Sequence, residues 1–144
     1  MNYMSKNLLF LAAVLTLSAC NTGNGGISDF EMQHGIGPVT EKLDPGEIDP
    51  AKVEQGMQLF ESQCIACHTL DARIAGPALR NVVRNREYEF VVNYILNPTE
   101  MAQEHPIGRD LREQYGAAMP ENNLTKEDAL AILEYLRAAY EGFF

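Results

Sequence analysis

The 144-residue sequence has no tryptophan, only three cysteines, and a shortage of positive charge. An odd and small number of cysteines does not build a disulfide framework. Eleven Lys and Arg against 20 Asp and Glu give a net charge of −9. A chain of that sign has no electrostatic reason to condense on a phosphate backbone or on an anionic membrane surface, so nucleic-acid binding is excluded. The longest apolar run, Leu8 to Leu17, is ten residues. At about 1.5 Å per residue it covers roughly half of a bilayer core of about 30 Å, too little to span. Alternation of apolar and polar residues with period two is missing over any useful length, so no sheet is expected. With 46% hydrophobic and 22% charged residues, what is left has the composition of one ordinary globular domain with extensions.

The short apolar run follows Lys6 and precedes the small pair Ser18 and Ala19 and then Cys20, the layout of a secretory signal. Leu17-Ser18-Ala19-Cys20 resembles the lipobox of bacterial lipoproteins, whose cysteine takes a lipid and becomes the new N-terminus. The resemblance implies a signal peptide over residues 1–19, lipidation of Cys20, and a domain fixed without crossing to the periplasmic face of a bacterial membrane. Loss of residues 1–19 would remove one lysine and no acid, leaving the mature chain more acidic. Residues 21–50 hold six glycines and three prolines without a helical apolar period, the composition of a flexible tether, here assigned to residues 20–49, the alternative being that Ile36 and Val39 lie along the domain surface.

From residue 50 the pattern is helical. Asp49 and Pro50 form an N-cap and first-turn pair, with Val53, Gly56, Met57 and Phe60 on one face and an end near Ser62. Val91, Val92, Ile95 and Leu96 keep helical spacing up to Pro98. Thr125 and Asp128 make a capping box for a last helix whose buried stripe is Ala129, Ile132, Leu133, Leu136 and Tyr140. Residues 50–144 thus read as a small all-α domain. A core of this size is marginal unless something other than side chains fills it.

Cys64-Ile65-Ala66-Cys67-His68 supplies the filler. C-x-x-C-H puts two thiols about one helical turn apart, placed to add across two haem vinyl groups, with the adjacent imidazole under the iron. A thioredoxin-like dithiol would require a βαβ context, and a zinc site a second Cys or His pair; neither is present. A Cys64–Cys67 structural disulfide is sterically poor at that spacing.

With the helix carrying Gly56 and Phe60, the CIACH motif, Gly76-Pro77-x-Leu79, and Met119-Pro120 ahead of a C-terminal helix, residues 50–144 resemble the class I c-type cytochromes. That resemblance implies a cytochrome c-like helical domain wrapped around one covalent haem c. Gly56 would let its helix cross the last one closely, with Phe60 near Tyr135 and Leu136. His68 would be the proximal ligand, its second ring nitrogen held by the Pro77 carbonyl; the plainer reading of Pro77 is a loop stop. Met119, after the small residues Gly116, Ala117 and Ala118, matches the position of the sixth ligand. Met57 reads as core packing, Met32 and His34 fall in the tether, and Met101 and His105 lie in the polar stretch TEMAQEHP, where exposure is expected.

Four arginines, Arg73, Arg80, Arg84 and Arg86, follow the motif. Arg84 and Arg86 are the candidates for the anionic propionates, the alternative being a solvated face paired with Glu87 and Glu89. Tyr88 or Tyr94 would stand where the family often has a tryptophan. No acid–base pair or nucleophile is evident, so neither enzymatic activity nor a small-molecule substrate is expected. The reading is a membrane-tethered one-electron carrier between respiratory-chain partners, docking to redox proteins through their basic patches. A haem-based sensor with a labile sixth ligand, or a fixed cytochrome subunit of an oxidase or reductase, is the alternative.

Overall fold

The computed structural model describes residues 26–144; the signal-peptide and Cys20 assignments lie outside them. Among the described residues there are seven α-helices and no strand, and no helix is long and apolar enough to cross a membrane. Helices α2 (Pro50–Leu59) and α7 (Lys126–Glu141) cross to form the centre of the fold, and α4 (Tyr88–Leu96) packs on the other side of α7. Asp49 caps α2 by accepting from the Ala51 N–H, with Pro50 at its first turn. The reciprocal Thr125–Asp128 box starts α7, and Gly142 in the left-handed conformation ends it.

The crossing depends on Gly56. A Cβ there would lie 1.9 Å from the Ala131 carbonyl oxygen, so only glycine permits the approach. One turn on, Phe60 meets Tyr135 with ring centroids 5.2 Å apart. Ala129, Ile132, Leu133 and Leu136 are buried as expected, but Tyr140 is 41% exposed. Because α7 is covered by both α2 and α4, Ala138 and Ala139 complete the buried last turn and Tyr140 turns out of it.

The stretch assigned as a tether is folded from residue 27 onward, which corrects the sequence reading for residues 27–49. Ser28 caps a short helix α1 (Asp29–His34) through a box with Glu31. The chain then runs as an irregular strap against α4, burying His34, Ile36 and Val39. Its backbone is satisfied by side chains. Asn93, fully buried on α4, donates to the carbonyls of His34, Gly35 and Val39 at 3.0–3.1 Å and accepts from the Val39 N–H at 2.9 Å. Glu89 accepts from the Leu43 N–H and from His34 Nδ1, the latter at 2.8 Å. At the far end Glu134 takes the Asp49 N–H at 2.7 Å, while Arg137 bonds Glu134 and the Gly46 carbonyl, each at 2.6 Å. Such anchoring leaves no periodic apolar signature, so a glycine- and proline-rich composition conceals it.

Residues 98–115, where the polar stretch TEMAQEHP gave no helical reading, form two helices, α5 (Pro98–Glu104) and α6 (Pro106–Tyr115), each with proline in its first turn. Their corner is tight: a Cβ on Gly108 would sit 1.8 Å from the Met101 carbonyl oxygen. Met101 and His105 are therefore fully buried, contrary to the exposure expected of them. Met101 fills the space between this corner and the strap, its Sδ accepting the Ile36 N–H at 3.1 Å. A short helix α3 (Val82–Asn85) completes the set.

Candidate haem-binding site

Between α2 and the Cys-His motif the helix widens into a single π-turn, Phe60–Cys64, closed by the Ile65 N–H to the Phe60 carbonyl at 3.0 Å. Such insertions recur at functional sites. The motif itself winds one more turn, with the His68 N–H bonded to the Cys64 carbonyl at 2.9 Å. Cys64 is buried, Cys67 half-buried, and both thiols are free. Burial, with a smaller contribution from neighbouring Cys67, pushes the Cys64 thiol up to about 11. A buried thiol of that kind is a poor redox nucleophile.

The loop after the motif folds back to hold the imidazole. The Gly76 N–H bonds the Cys67 carbonyl at 2.7 Å, and His68 Nδ1 lies 3.0 Å from the Pro77 carbonyl oxygen. A carbonyl can only accept, so Nδ1 carries the proton and Nε2 keeps a free lone pair for a metal. Pro77 is thus more than a loop stop. Gly76 packs flat against the ring; a Cβ on it would reach 2.4 Å from His68 Cε1.

Cys64, Cys67, His68, Pro77, Arg86 and Met119 all line one cavity of about 340 Å³, within the roughly 300–1,000 Å³ typical of cofactor sites. Leu79, Val82, Phe90, Val91, Ile95 and Leu136 make its wall apolar. Met119 stands on the loop after α6, which leaves the helix through left-handed Gly116. It is half-buried, as its neighbours Gly116, Ala117 and Ala118 are exposed. Met57, by contrast, packs against the core and is not among the cavity residues.

Arg84 does not line this cavity; it is exposed on α3, facing a separate groove with Met32, Gln33 and Tyr88. The reason is local: α3 is one turn long and ends at Asn85, so Arg84 and Arg86 leave it in different directions. Arg86 lies over the Phe90 ring at 5.4 Å, and neither arginine pairs with Glu87 or Glu89. Arg80 forks onto Asp71 at 2.6 and 2.9 Å and caps the Ala139 and Phe144 carbonyls. Arg73 bonds the Gln114 carbonyl at 3.0 Å and covers the Tyr115 ring at 4.2 Å, tying the motif loop to α6. Of the two tyrosines proposed for the tryptophan position, Tyr94 lines the cavity, its phenol pushed up by burial, whereas Tyr88 lies under Arg137.

Sequence reasoning missed Leu111, Arg112 and Tyr115, which reach the cavity from α6, and Asn85 and Asn122. The spacing of 111, 112 and 115 on one helical face was the available signal, hidden because that helix was read as loop. Arg112 and Arg86 are the two cationic groups among the cavity residues.

This is the architecture of a small haem protein of the cytochrome c type, and comparison with known proteins agrees. The cytochrome c family model matches residues 53–139, and the chain belongs to that family. It is 29% identical over 91 residues to a cytochrome c-551 of Stutzerimonas stutzeri, covering 62% of this chain and 81% of that one. The structure of a cytochrome c from Rhodothermus marinus is similar at 43% identity and a TM-score of 0.74, over 79% of this chain and 98% of the other. An engineered form of the Rhodothermus protein, solved bound to a carbene intermediate, matches with a TM-score of 0.70 at the same identity, over 78% of this chain and 97% of that one. The family carries a covalently attached haem c, and the residues present fit one: two adjacent thiols, an imidazole with its distal nitrogen free, and an apolar cavity with two arginines. The chain is a mono-haem c-type electron carrier.

Proposed function

We propose that this carrier is His68/Met119-ligated and lipid-tethered through Cys20 outside the cytoplasm, passing single electrons between respiratory-chain partners. The observation that carries the ligand assignment is that His68 and Met119 line the same cavity, with His68 presenting Nε2. The haem supplies an iron that exchanges one electron. The protein's part is to hold it: Cys64 and Cys67 as thioether anchors, His68 fixed by Pro77, Met119 closing the sixth position, and Arg86 with Arg112 as donors to the propionates. Arg84 is withdrawn from that role by its position. A thioether ligand raises the potential and denies the iron to small molecules. That favours electron transfer over enzymatic turnover, and no small-molecule substrate is invoked.

Partners would meet the exposed apolar residues of the motif and the loop after it, Ile65 at 53% and Ile74 at 46% exposure, together with Ala75, Ala117 and Ala118 of the cavity lining. The strongly acidic chain suits a partner with a basic docking patch. The test is carbon monoxide. The reduced wild-type protein is expected to refuse it and Met119→Ala to bind it rapidly and completely. Complete binding by the wild type at neutral pH would overturn the ligand assignment and favour the haem-sensor reading instead.

A further inference from the structure

We infer that His105 is a positioning residue for Met119, coupling the N-terminal strap to the sixth-ligand loop through α6. This rests on the proposed ligation by Met119. His105 is fully buried and stands at the junction of α5 and α6. Its Nδ1 accepts the Ile107 N–H at 3.2 Å, capping α6. A backbone N–H can only donate, so the ring's proton is on Nε2. That nitrogen lies 3.2 Å from both the Glu31 and the Met32 carbonyl oxygens and donates to them as a shared bond. One imidazole thus satisfies an orphan donor of α6 and reaches two carbonyls of α1, 73 and 74 residues away in sequence, that of Glu31 also taking the Gly35 N–H.

What α6 carries makes this more than a structural link. Leu111, Arg112 and Tyr115 on α6 line the haem cavity, and the helix leads through Gly116 directly into the Met119 loop. The His105 ring meets Phe90 edge-on at 5.3 Å, and Phe90 lines the cavity too. Gly108 packs the start of α6 against the Met101 backbone, and Arg73 holds its end. His105 is the remaining fixed point, and it is the one that belongs to the strap.

Two substitutions divide its two bonds. In His105→Asn the amide oxygen takes the place of Nδ1 and keeps the α6 cap but cannot reach the strap; in His105→Gln the amide nitrogen takes the place of Nε2 and reaches the strap but leaves the cap. The readout is the affinity of the ferric holoprotein for added imidazole, which competes with Met119. Both variants are expected to bind imidazole at least tenfold more tightly. Leu133→Ala, a core deletion away from the cavity, should lower the unfolding temperature without that change. Combining either variant with Met119→Ala should add nothing further. If the His105 variants gain no more affinity than Leu133→Ala, the inference is wrong. If Met119→Ala itself leaves imidazole affinity unaltered, the ligand assignment fails and carries the inference with it.

Wild-type protein gives a second measurement that needs no variant. Coupling is reciprocal, so saturating imidazole, by displacing Met119, should speed hydrogen exchange of the Ile107 amide several-fold. Unchanged protection there would equally overturn the inference.

Discussion

Replacing Gly76 by alanine tests how the proximal imidazole is held. The new Cβ would come 2.4 Å from His68 Cε1, 2.8 Å from Nδ1 and 2.9 Å from Nε2. Ordinary contact begins at 3.4 Å, so the ring must retreat by about 1 Å. It cannot do so freely, because Nδ1 is bonded to the Pro77 carbonyl at 3.0 Å and the neighbouring Cys67 is a haem anchor. Overpacking of this kind costs about 1–3 kcal/mol, and loss of the His68–Pro77 bond a further ~0.5–1.5 kcal/mol. The lower chain entropy of alanine returns ~0.4–1 kcal/mol. The net is a destabilisation of about 2 kcal/mol, read as a fall of roughly 10 °C in unfolding temperature. Loss of the Nδ1–H bond also makes the imidazole a weaker donor to the ferric iron, so the reduction potential should rise. Thermal unfolding and potentiometric titration of the holoprotein measure both. Gly56→Ala is the companion: it drives a Cβ against the Ala131 backbone and should lower stability without moving the potential. A Gly76→Ala protein with unaltered potential and unfolding temperature would refute the reasoning.

Two further outcomes concern the strap. Asn93→Ala removes four buried hydrogen bonds; with each orphaned group costing about 1–3 kcal/mol before relaxation, the strap should detach first. Limited proteolysis should then cut within residues 35–43 while the covalent haem is retained, and a strap as resistant as in the wild type would count against the assignment. Glu89 gives the acid limb. Burial raises its carboxyl, but the Leu43 N–H, its own backbone and His34 outweigh burial and hold it below the ordinary 4.5. A depressed folded-state pKa means that its stabilisation is whole above about pH 4.5 and lost as pH falls through the lowered value. The protection factor of the Leu43 amide, its exchange measured against the intrinsic rate at each pH, should therefore fall in acid, and Glu89→Gln should flatten that dependence; an identical acid profile in the variant would remove Glu89 as the cause.

The parts of the fold legible in the sequence were those with local, repeating chemistry. Asp49-Pro50, the Thr125–Asp128 box and C-x-x-C-H each place their function within a few residues, and each lies in the structure where the pattern put it. The strap was illegible because its determinants are single buried polar residues, Glu89 and Asn93 on α4 with Glu134 and Arg137 on α7, which in sequence look like exposed positions of an amphipathic helix. Pro98 was read as the end of one helix where it also opens the next, and Pro106 opens another. That one misreading hid Met101 and His105 in the interior and kept Leu111, Arg112 and Tyr115 out of the candidate site. Propionate donors were sought among arginines close to the motif in sequence, whereas one of the two arginines that line the cavity comes from residue 112.

The π-turn at Phe60–Cys64 has a consequence for how this helix could change over time. The turn absorbs one residue more than an α-turn; wound as an unbroken α-helix, the same residues would swing everything downstream by about 100° about the axis. The bearing of Gly56 toward α7 and the bearing of the cysteines toward the porphyrin are thereby decoupled. An ordinary α-turn over these same residues would aim the two halves at incompatible neighbours, whereas removal of one residue would let the Ile65 N–H close an α-type bond to the Phe60 carbonyl with both bearings kept, so this turn is the place where the helix can absorb a change of length.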